Sequence, residues 1–174
     1  MKKAFPVLLA LLLCGIVPAR ADEVISTHGK WTLKCAAIKE TKKENCIISQ
    51  TVVAIPKDKG KPTPGVLGVA VGYQKDNPKP QIAFNIPPQV DVKTGLGFRV
   101  DEGENFSIAI DACSKVKCLA RDWLAPDIEK LMSTGKTALI TYVIPPQKER
   151  LGITLDLEGF TPAMKALRTR LGKG

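Results

Sequence analysis

The sequence predicts an all-β protein, a β-sandwich of about nine strands with two short helices and two disulfides. Turn-forming residues interrupt the chain about every 8–12 positions, a spacing typical of sandwiches and barrels. The runs between these turns are rich in β-branched residues or alternate between apolar and polar positions, as strands do. Because only two segments carry a helical pattern, two packed sheets are favoured over a mixed architecture.

The predicted strands begin with the segment KWTLKC at 30–35, which places Trp31, Leu33 and Cys35 on one face. A long β-branched run at 46–55 forms the second strand. We expect Trp31 and the aliphatic side chains to form the core of the sandwich. The remaining predicted strands span residues 65–73, 80–86, 96–100, 105–110, 118–123, 136–144 and 150–157.

The first predicted helix lies within residues 125–135. Pro126 suits its first turn, acidic residues follow, and Gly135 ends it. Its apolar positions predict a buried face formed by Ile128, Leu131 and Met132.

The second predicted helix occupies the last 15 residues, 160–174. Thr161 is predicted to be its N-cap, with Pro162 at the first helical position. The pattern favours a helix packed on the sheet over one lying on a membrane surface, for which it is short. Its apolar stripe comprises Phe160, Met164, Leu167 and Leu171.

The N-terminal residues 1–21 predict a cleaved secretory signal. Two lysines precede an apolar run of about 14 residues, and Ala19-Arg20-Ala21 suits a signal peptidase, with cleavage after Ala21. A membrane span needs about 20 apolar residues, so an anchor is disfavoured. We therefore expect residues 22–174 to form a single exported domain, periplasmic or secreted, without a transmembrane segment.

The charge of this expected mature chain is positive. Removing Lys2, Lys3 and Arg20 lowers the formal charge of +9 by three, to +6. A basic exported protein suits anionic partners such as an acidic glycan or a lipid head group, whereas nucleic acid is not expected outside the cytoplasm. The alternative is that the charge only maintains solubility. The candidate anionic-ligand residues lie in the loop 56–65 and are Lys57, Lys59 and Lys61.

Four cysteines remain after the signal, an even number that predicts disulfides in an exported chain. Of the three possible pairings we favour Cys35 with Cys46 and Cys113 with Cys118, because each closes a short loop between predicted strands. Zinc is the alternative, but the spacings C-x10-C and C-x4-C do not match paired zinc knuckles. A redox C-x-x-C motif is absent, and no metal or cofactor is expected.

Catalytic chemistry is not predicted. The cysteines are expected to be oxidised, and the sole histidine, His28, is expected to be a solvent-exposed residue near a mobile terminus. The acids Asp101, Glu102 and Glu104 favour a hairpin turn, with Gly103 supplying the unusual backbone angle, over a calcium site. The chain is therefore expected not to be an enzyme.

Several segments together resemble the invasion-associated locus B family. The resemblance covers about residues 29–171 and rests on the order and spacing of WTLKC, C-x-x-x-Q, PPQVDV, GLGFRVDEG, LMSTGKTALITYV and GITLDLEGFTPAMKAL. It implies an exported envelope or periplasmic protein of Gram-negative bacteria with an immunoglobulin-like β-sandwich. Its founding members are associated with invasion of host cells.

The resemblance also implies roles for single residues. The four cysteines match the family's disulfide positions, and Trp31 and Gln50 match its recurring tryptophan and glutamine. Lys117 departs from the family, in which a glycine is common at that position, so the local loop shape is not implied. No catalytic residue carries over. The expected function is host-cell interaction or invasion through binding; the alternative is a structural or chaperone-like partner of another envelope protein, unrelated to virulence.

Overall fold

The computed structural model describes residues 23–38, 44–54, 65–74, 77–146, 148 and 150–173. These residues form eleven strands and two helices. The elements are β1 (Glu23–His28), β2 (Trp31–Ala37), β3 (Glu44–Val53), β4 (Val66–Tyr73), β5 (Pro80–Ile86), β6 (Leu96–Val100), β7 (Asn105–Ile108), β8 (Ile110–Cys113), β9 (Cys118–Trp123), α1 (Pro126–Thr134), β10 (Thr137–Val143), β11 (Arg150–Asp156) and α2 (Phe160–Leu171).

The strands form two antiparallel sheets that pack face to face. The larger sheet has seven strands in the order β1-β2-β3-β4-β5-β9-β8, and the smaller has four in the order β11-β10-β6-β7. Alternate residues of each central strand are buried, as in β5 and β6, because successive side chains point to opposite faces. Phe84 and Phe98 meet across the core with ring centroids 5.9 Å apart. The predicted all-β sandwich is confirmed.

The observed strands differ from the prediction in two places. β1 was not predicted, because it is an edge strand whose residues are mostly exposed and carry no alternation of buried positions. The predicted single strand 105–110 is two strands, since the chain passes from the smaller sheet to the larger one at Ala109. These changes account for eleven described strands in place of about nine.

The first helix begins at Pro126 and is stopped at Gly135, as predicted. Of its expected inward residues, Met132 is fully buried and Ile128 packs against the core. Leu131 is 42% exposed, so its predicted burial was wrong. This nine-residue helix buries only a narrow stripe, in which Met132 is the one fully buried residue.

The second helix covers the part of the larger sheet that the smaller sheet leaves open. It packs against β1, β2 and β3, while β11 lies near β3 and β7 lies near β9. Three of the four residues of the predicted stripe are buried, whereas Leu171 is only partly buried. The Phe160 ring meets Trp31 edge-on at 5.1 Å. Bidentate hydrogen bonds of 2.7 Å from Arg170 to Glu44 tie its last turn to β3. The helix buries Phe160, Ala163, Met164 and Leu167.

The start of this helix corrects the predicted cap. Gly159, in the left-handed region at φ 88°, is the N-cap residue, and Thr161 lies within the first turn. The Thr161 hydroxyl donates to the carbonyl oxygen of Ser133, at 3.1 Å, so it links the two helices instead of capping one. A threonine beside Pro162 suits a cap locally, but the helix begins two residues earlier, where Gly159 accommodates the positive φ and the close contact with His28.

Gly159 also lies against the hairpin between β1 and β2. A Cβ atom there would collide with the carbonyl oxygen of His28, and one on Gly29 would lie 2.5 Å from the carbonyl oxygen of Glu158. The Lys30 amide donates to that same Glu158 oxygen at 3.2 Å. Two glycines therefore allow backbone-to-backbone contact between the first hairpin and the entrance to α2.

Two side chains of the larger sheet bind the backbone of the smaller one at Asp156. Gln50, 7% exposed, donates from Nε2 to the Asp156 carbonyl oxygen at 2.8 Å and accepts the Asp156 amide proton at 3.3 Å. Trp31 Nε1 donates to the same carbonyl oxygen at 3.2 Å. Because β11 is an edge strand, its outer backbone groups have no strand partner, and the Gln50 amide replaces one. We name this set of contacts the Asp156 junction.

Replacing Gln50 tests that junction. Gln50→Ala leaves the Asp156 amide without its side-chain partner in a partly buried position, so we expect the unfolding free energy to fall by about 1–3 kcal/mol. Urea titration with an unchanged m-value would measure it. Gln89→Ala, at an exposed position, is the control and should change stability by less than about 0.5 kcal/mol. Equal stability of the two variants would show that the junction contributes nothing.

Replacing Gly159 tests the close approach of the hairpin. Gly159→Ala combines an unfavourable positive φ with a backbone collision, and we expect a loss of about 3 kcal/mol or more in unfolding free energy. Gly172→Ala is the matched control, since Gly172 also has a positive φ, 63°, but nothing lies within 4 Å of its added Cβ. It should cost about 1–2 kcal/mol. Thermal or urea unfolding compares them; similar losses would contradict the close contact.

Candidate functional site

The cysteines form the two favoured disulfides. Cys35 and Cys46 are directly paired residues of β2 and β3, and Cys113 and Cys118 are directly paired residues of β8 and β9. Glu44 lies close enough to the first pair for the three groups to surround an ion, but both thiols there are consumed by the disulfide. These cysteines therefore staple hairpins.

The three candidate lysines, Lys57, Lys59 and Lys61, lie outside the described residues. His28 lies within the described residues, and the prediction that it is solvent-exposed near a mobile terminus was wrong. It is the last residue of β1, partly buried, with Nε2 3.0 Å from the Ser26 hydroxyl oxygen. The histidine is therefore held in a paired strand beside the turn that contacts α2.

The acidic turn after β6 forms hydrogen bonds with residues at the start of β10. Asp101, and not Gly103, has the positive φ, 44°, so the predicted role of Gly103 was wrong. The Asp101 carboxylate accepts the amides of Thr137 and Lys136, at 2.9 and 3.2 Å, and the Thr137 hydroxyl. The hydrogen bond from the Thr137 amide, followed by that from Lys136, lowers the pKa of Asp101 below its ordinary value. The turn thus joins β6 to β10.

A cavity of about 680 Å³ opens at the end of the sandwich. Tyr73 ends β4, Pro80 begins β5 opposite it, and Trp123 ends β9 one register position away. The Leu124 amide donates to the Pro80 carbonyl oxygen at 2.9 Å, which fixes the exit from β9. α1 begins directly afterwards, so strand ends and both helices meet here.

Arg168 of α2 is the fixed charge of this cavity. It donates from one nitrogen to both carboxylate oxygens of Glu129 in α1 at 2.7 Å, and its Nε donates to the Tyr73 hydroxyl at 3.2 Å. Burial opposes its charge, but the hydrogen bonds with Glu129 and Tyr73 outweigh burial and raise the pKa of Arg168. The ion pair therefore orients Tyr73 at the cavity wall.

The other polar groups of the cavity are donors. Lys173 Nζ lies 4.7 Å from the Tyr73 ring centroid and donates to the Asn77 carbonyl oxygen at 3.1 Å. Within the described part of the chain, the ammonium of Lys79, the indole N–H of Trp123 and the hydroxyl hydrogen of Tyr73 have no acceptor. The lining contains the cations Lys79, Arg168 and Lys173 and the carboxylate of Glu129, which gives it a net charge of +2.

A second cavity, of about 610 Å³, shares Tyr73 and Lys173 with the first. Its floor is the outer face of the larger sheet, where small residues lie beside Ile47. A Cβ on Gly72 would lie 2.8 Å from the Ile47 Cγ2 atom, so the floor is closed by that side chain. The two cavities flank the same tyrosine.

Sequence reasoning did not identify this site. Its residues come from positions 73–80, 123–129 and 168–173, and their proximity depends on sheet order. One feature of the sequence could have indicated the site. Trp123 is the last residue of a predicted strand and is followed by Leu-Ala-Pro, so its side chain was not expected to lie in the core. It is 41% exposed.

The fold and this site define a small, disulfide-stapled β-sandwich with an aromatic, donor-lined cavity at one end. The family described as "Invasion associated locus B (IalB) protein" matches residues 31–168, and the chain belongs to that family. The crystal structure of invasion associated protein b from Bartonella henselae has the same fold. The TM-score is 0.68 at 19% identity, covering 89% of this chain and 99% of that one. No curated protein matches the chain.

Neither described helix has the length and apolar character needed to cross a membrane.

The pH dependence of stability tests the Asp101 turn. Because folding lowers the pKa of Asp101, its carboxylate stabilises the fold above the ordinary value of 3.8, and this contribution is lost as pH falls through the folded pKa. Asp101→Asn keeps a residue that tolerates the left-handed conformation. We expect it to unfold at lower urea than wild type at pH 7, with the difference narrowing below pH 3.8.

The control for this experiment is Glu104→Gln, an exposed acid of the same turn region. It should show no comparable difference at either pH. A constant difference between Asp101→Asn and wild type across the whole range would show that the charge of Asp101 is not what stabilises the turn.

Proposed function

We propose that this chain is an exported, non-enzymatic binding protein of the Gram-negative cell envelope that takes part in host-cell interaction. The observation that carries the proposal is membership of the invasion-associated locus B family over residues 31–168. The structurally similar Bartonella protein is itself titled an invasion associated protein. The proposal transfers that association, as binding, to this chain.

Export is supported by the sequence of residues 1–21 and by the disulfides. A charged start, an apolar run and small residues before Asp22 are typical of a signal peptide. Disulfides persist in oxidising compartments such as the periplasm. Both cysteine pairs of the described chain are bonded, which suits a protein that matures outside the cytoplasm.

Binding is supported by the kind of groups that the cavity gathers. A concave site with aromatic walls and a few convergent polar groups is the usual form of a ligand site. Arg168 is neutralised by Glu129, and the described lining contains no nucleophile beside a base. Such a lining holds a ligand and offers no group to transform it.

The alternative, a chaperone-like partner that pairs through a sheet edge, receives less support. The edge strand β1 exposes Val24, but its pairing with β2 is irregular between Val24 and Ser26. A bulge of this kind interrupts the row of backbone groups that an added strand would need. The edge is therefore better suited to resist pairing than to accept it.

Charge reversal in the loop 56–65 tests the binding role and its predicted residues. The purified variant Lys57→Glu/Lys59→Glu/Lys61→Glu should bind cultured host cells about tenfold more weakly than wild type, because several surface ion pairs are lost. Binding of fluorescently labelled protein at physiological salt measures this.

The matched control is Lys115→Glu/Lys130→Glu/Lys165→Glu, which changes the net charge equally at exposed positions elsewhere. It should retain most of the binding. Equal losses in both variants would mean that overall charge, and not the loop, controls attachment. Absence of saturable binding by wild-type protein would overturn the binding function itself.

A further inference from the structure

We propose that the cavity formed by Tyr73, Trp123 and Arg168 binds an anionic saccharide. The inference rests on the proposed binding function and gives that function a ligand class and a place. It does not involve the loop 56–65, and so it makes a separate prediction about which residues contact the ligand.

The hydrogen-bonding groups of the cavity select an acceptor-rich ligand. The Trp123 indole, the Tyr73 hydroxyl and the Lys79 ammonium each offer an N–H or O–H without an acceptor among the described residues. The carboxylate of Glu129, the charged acceptor of the lining, is occupied by both bonds from Arg168. A ligand that supplies hydroxyl, carboxylate, sulfate or phosphate oxygens would satisfy these donors.

The charge of the lining favours an anion. Lys79 and Lys173 are not ion-paired in the described chain, and the single carboxylate is already neutralised. A net charge of +2 within a concave wall of low dielectric attracts an anion more strongly than the same charge on a flat surface. A neutral sugar would leave both ammonium groups without an anionic partner.

The walls favour a ring with an apolar face and polar edges. Trp123 is 41% exposed, and Pro78, Pro80 and Pro126 line the same cavity. An exposed indole presents a broad apolar face next to one donor, which matches a pyranose with C–H groups on its face and oxygens on its edge. Rigid prolines reduce the ordering cost of binding. Both features distinguish the site from a diffuse basic patch.

The experiment uses the purified full-length mature protein and defined oligosaccharides. The probes are a heparin-derived hexasaccharide, which carries carboxylate and sulfate, a bis-phosphorylated glucosamine disaccharide, and neutral maltohexaose. Trp31 is fully buried and Trp123 is exposed, so a change in tryptophan emission or acrylamide quenching reports on the cavity. We expect saturable changes with an anionic probe and none with maltohexaose. The anionic probe that binds more tightly identifies a host glycan or a lipid-derived sugar as the source.

Four variants, one of them a control, locate the binding by calorimetry. Trp123→Ala should weaken it about tenfold through loss of the indole face, and Trp123→Phe should restore part of that loss. Lys79→Glu should weaken it by about the same factor, whereas Lys115→Glu, in the loop between β8 and β9, should not. Unchanged thermal unfolding would confirm that the exposed substitutions leave the fold intact.

The outcomes separate this inference from the proposed function. Equal binding by wild type and Trp123→Ala, or equal weakening by Lys79→Glu and Lys115→Glu, would overturn the cavity as the site. Absence of saturable binding of both anionic saccharides to wild-type protein would overturn the ligand class. If either occurs while wild-type protein still attaches to host cells, the binding function stands and only its ligand assignment fails.

Discussion

The Asp156 junction is the interaction on which the rest of the structure depends. In this sandwich of a seven-stranded and a four-stranded sheet, the edge strand β11 lies near β3 of the larger sheet, where Gln50 is buried. Its unpaired backbone groups there would be costly to bury. Gln50 supplies both a donor and an acceptor to Asp156, and Trp31 supplies a second donor. Side chains of one sheet thereby complete the edge of the other and set their relative position.

The cavity follows from that junction through α2. Asp156 is followed by the turn at Glu158 and Gly159, which contacts the first hairpin and directs α2 across the uncovered strands. The depth of the helix is fixed by packing of Phe160 on Trp31, and its last turns then bring Arg168 to Glu129 and Tyr73. A series of local contacts thus connects the position of the junction to the position of Arg168 near the opposite end of the helix.

Local sequence patterns predicted the structure correctly where interactions between residues close in sequence determine it. Alternation identified β2 through Trp31 and Leu33, and cysteine spacing identified both staples. Prediction failed where a contact between residues distant in sequence determines the local structure. The left-handed Asp101 is stabilised by amides 35 and 36 residues away, and the cap at Gly159 is imposed by His28. The cavity belongs to this second kind, since its aromatic residues lie 50 positions apart and meet only after the sheet is ordered.

Three residues that line the cavity take no part in the contacts that hold the two sheets and the first hairpin together. The Asp156 junction, the staples and the glycine contact involve none of Trp123, Lys79 or Lys173. A chain with only 19% identity to the Bartonella protein reaches a TM-score of 0.68 with it, so the fold tolerates extensive change in side chains. Side chains such as these can change without loss of the contacts that hold the sandwich. Proteins of one family can then share the sandwich and differ in the exposed side chains of this cavity.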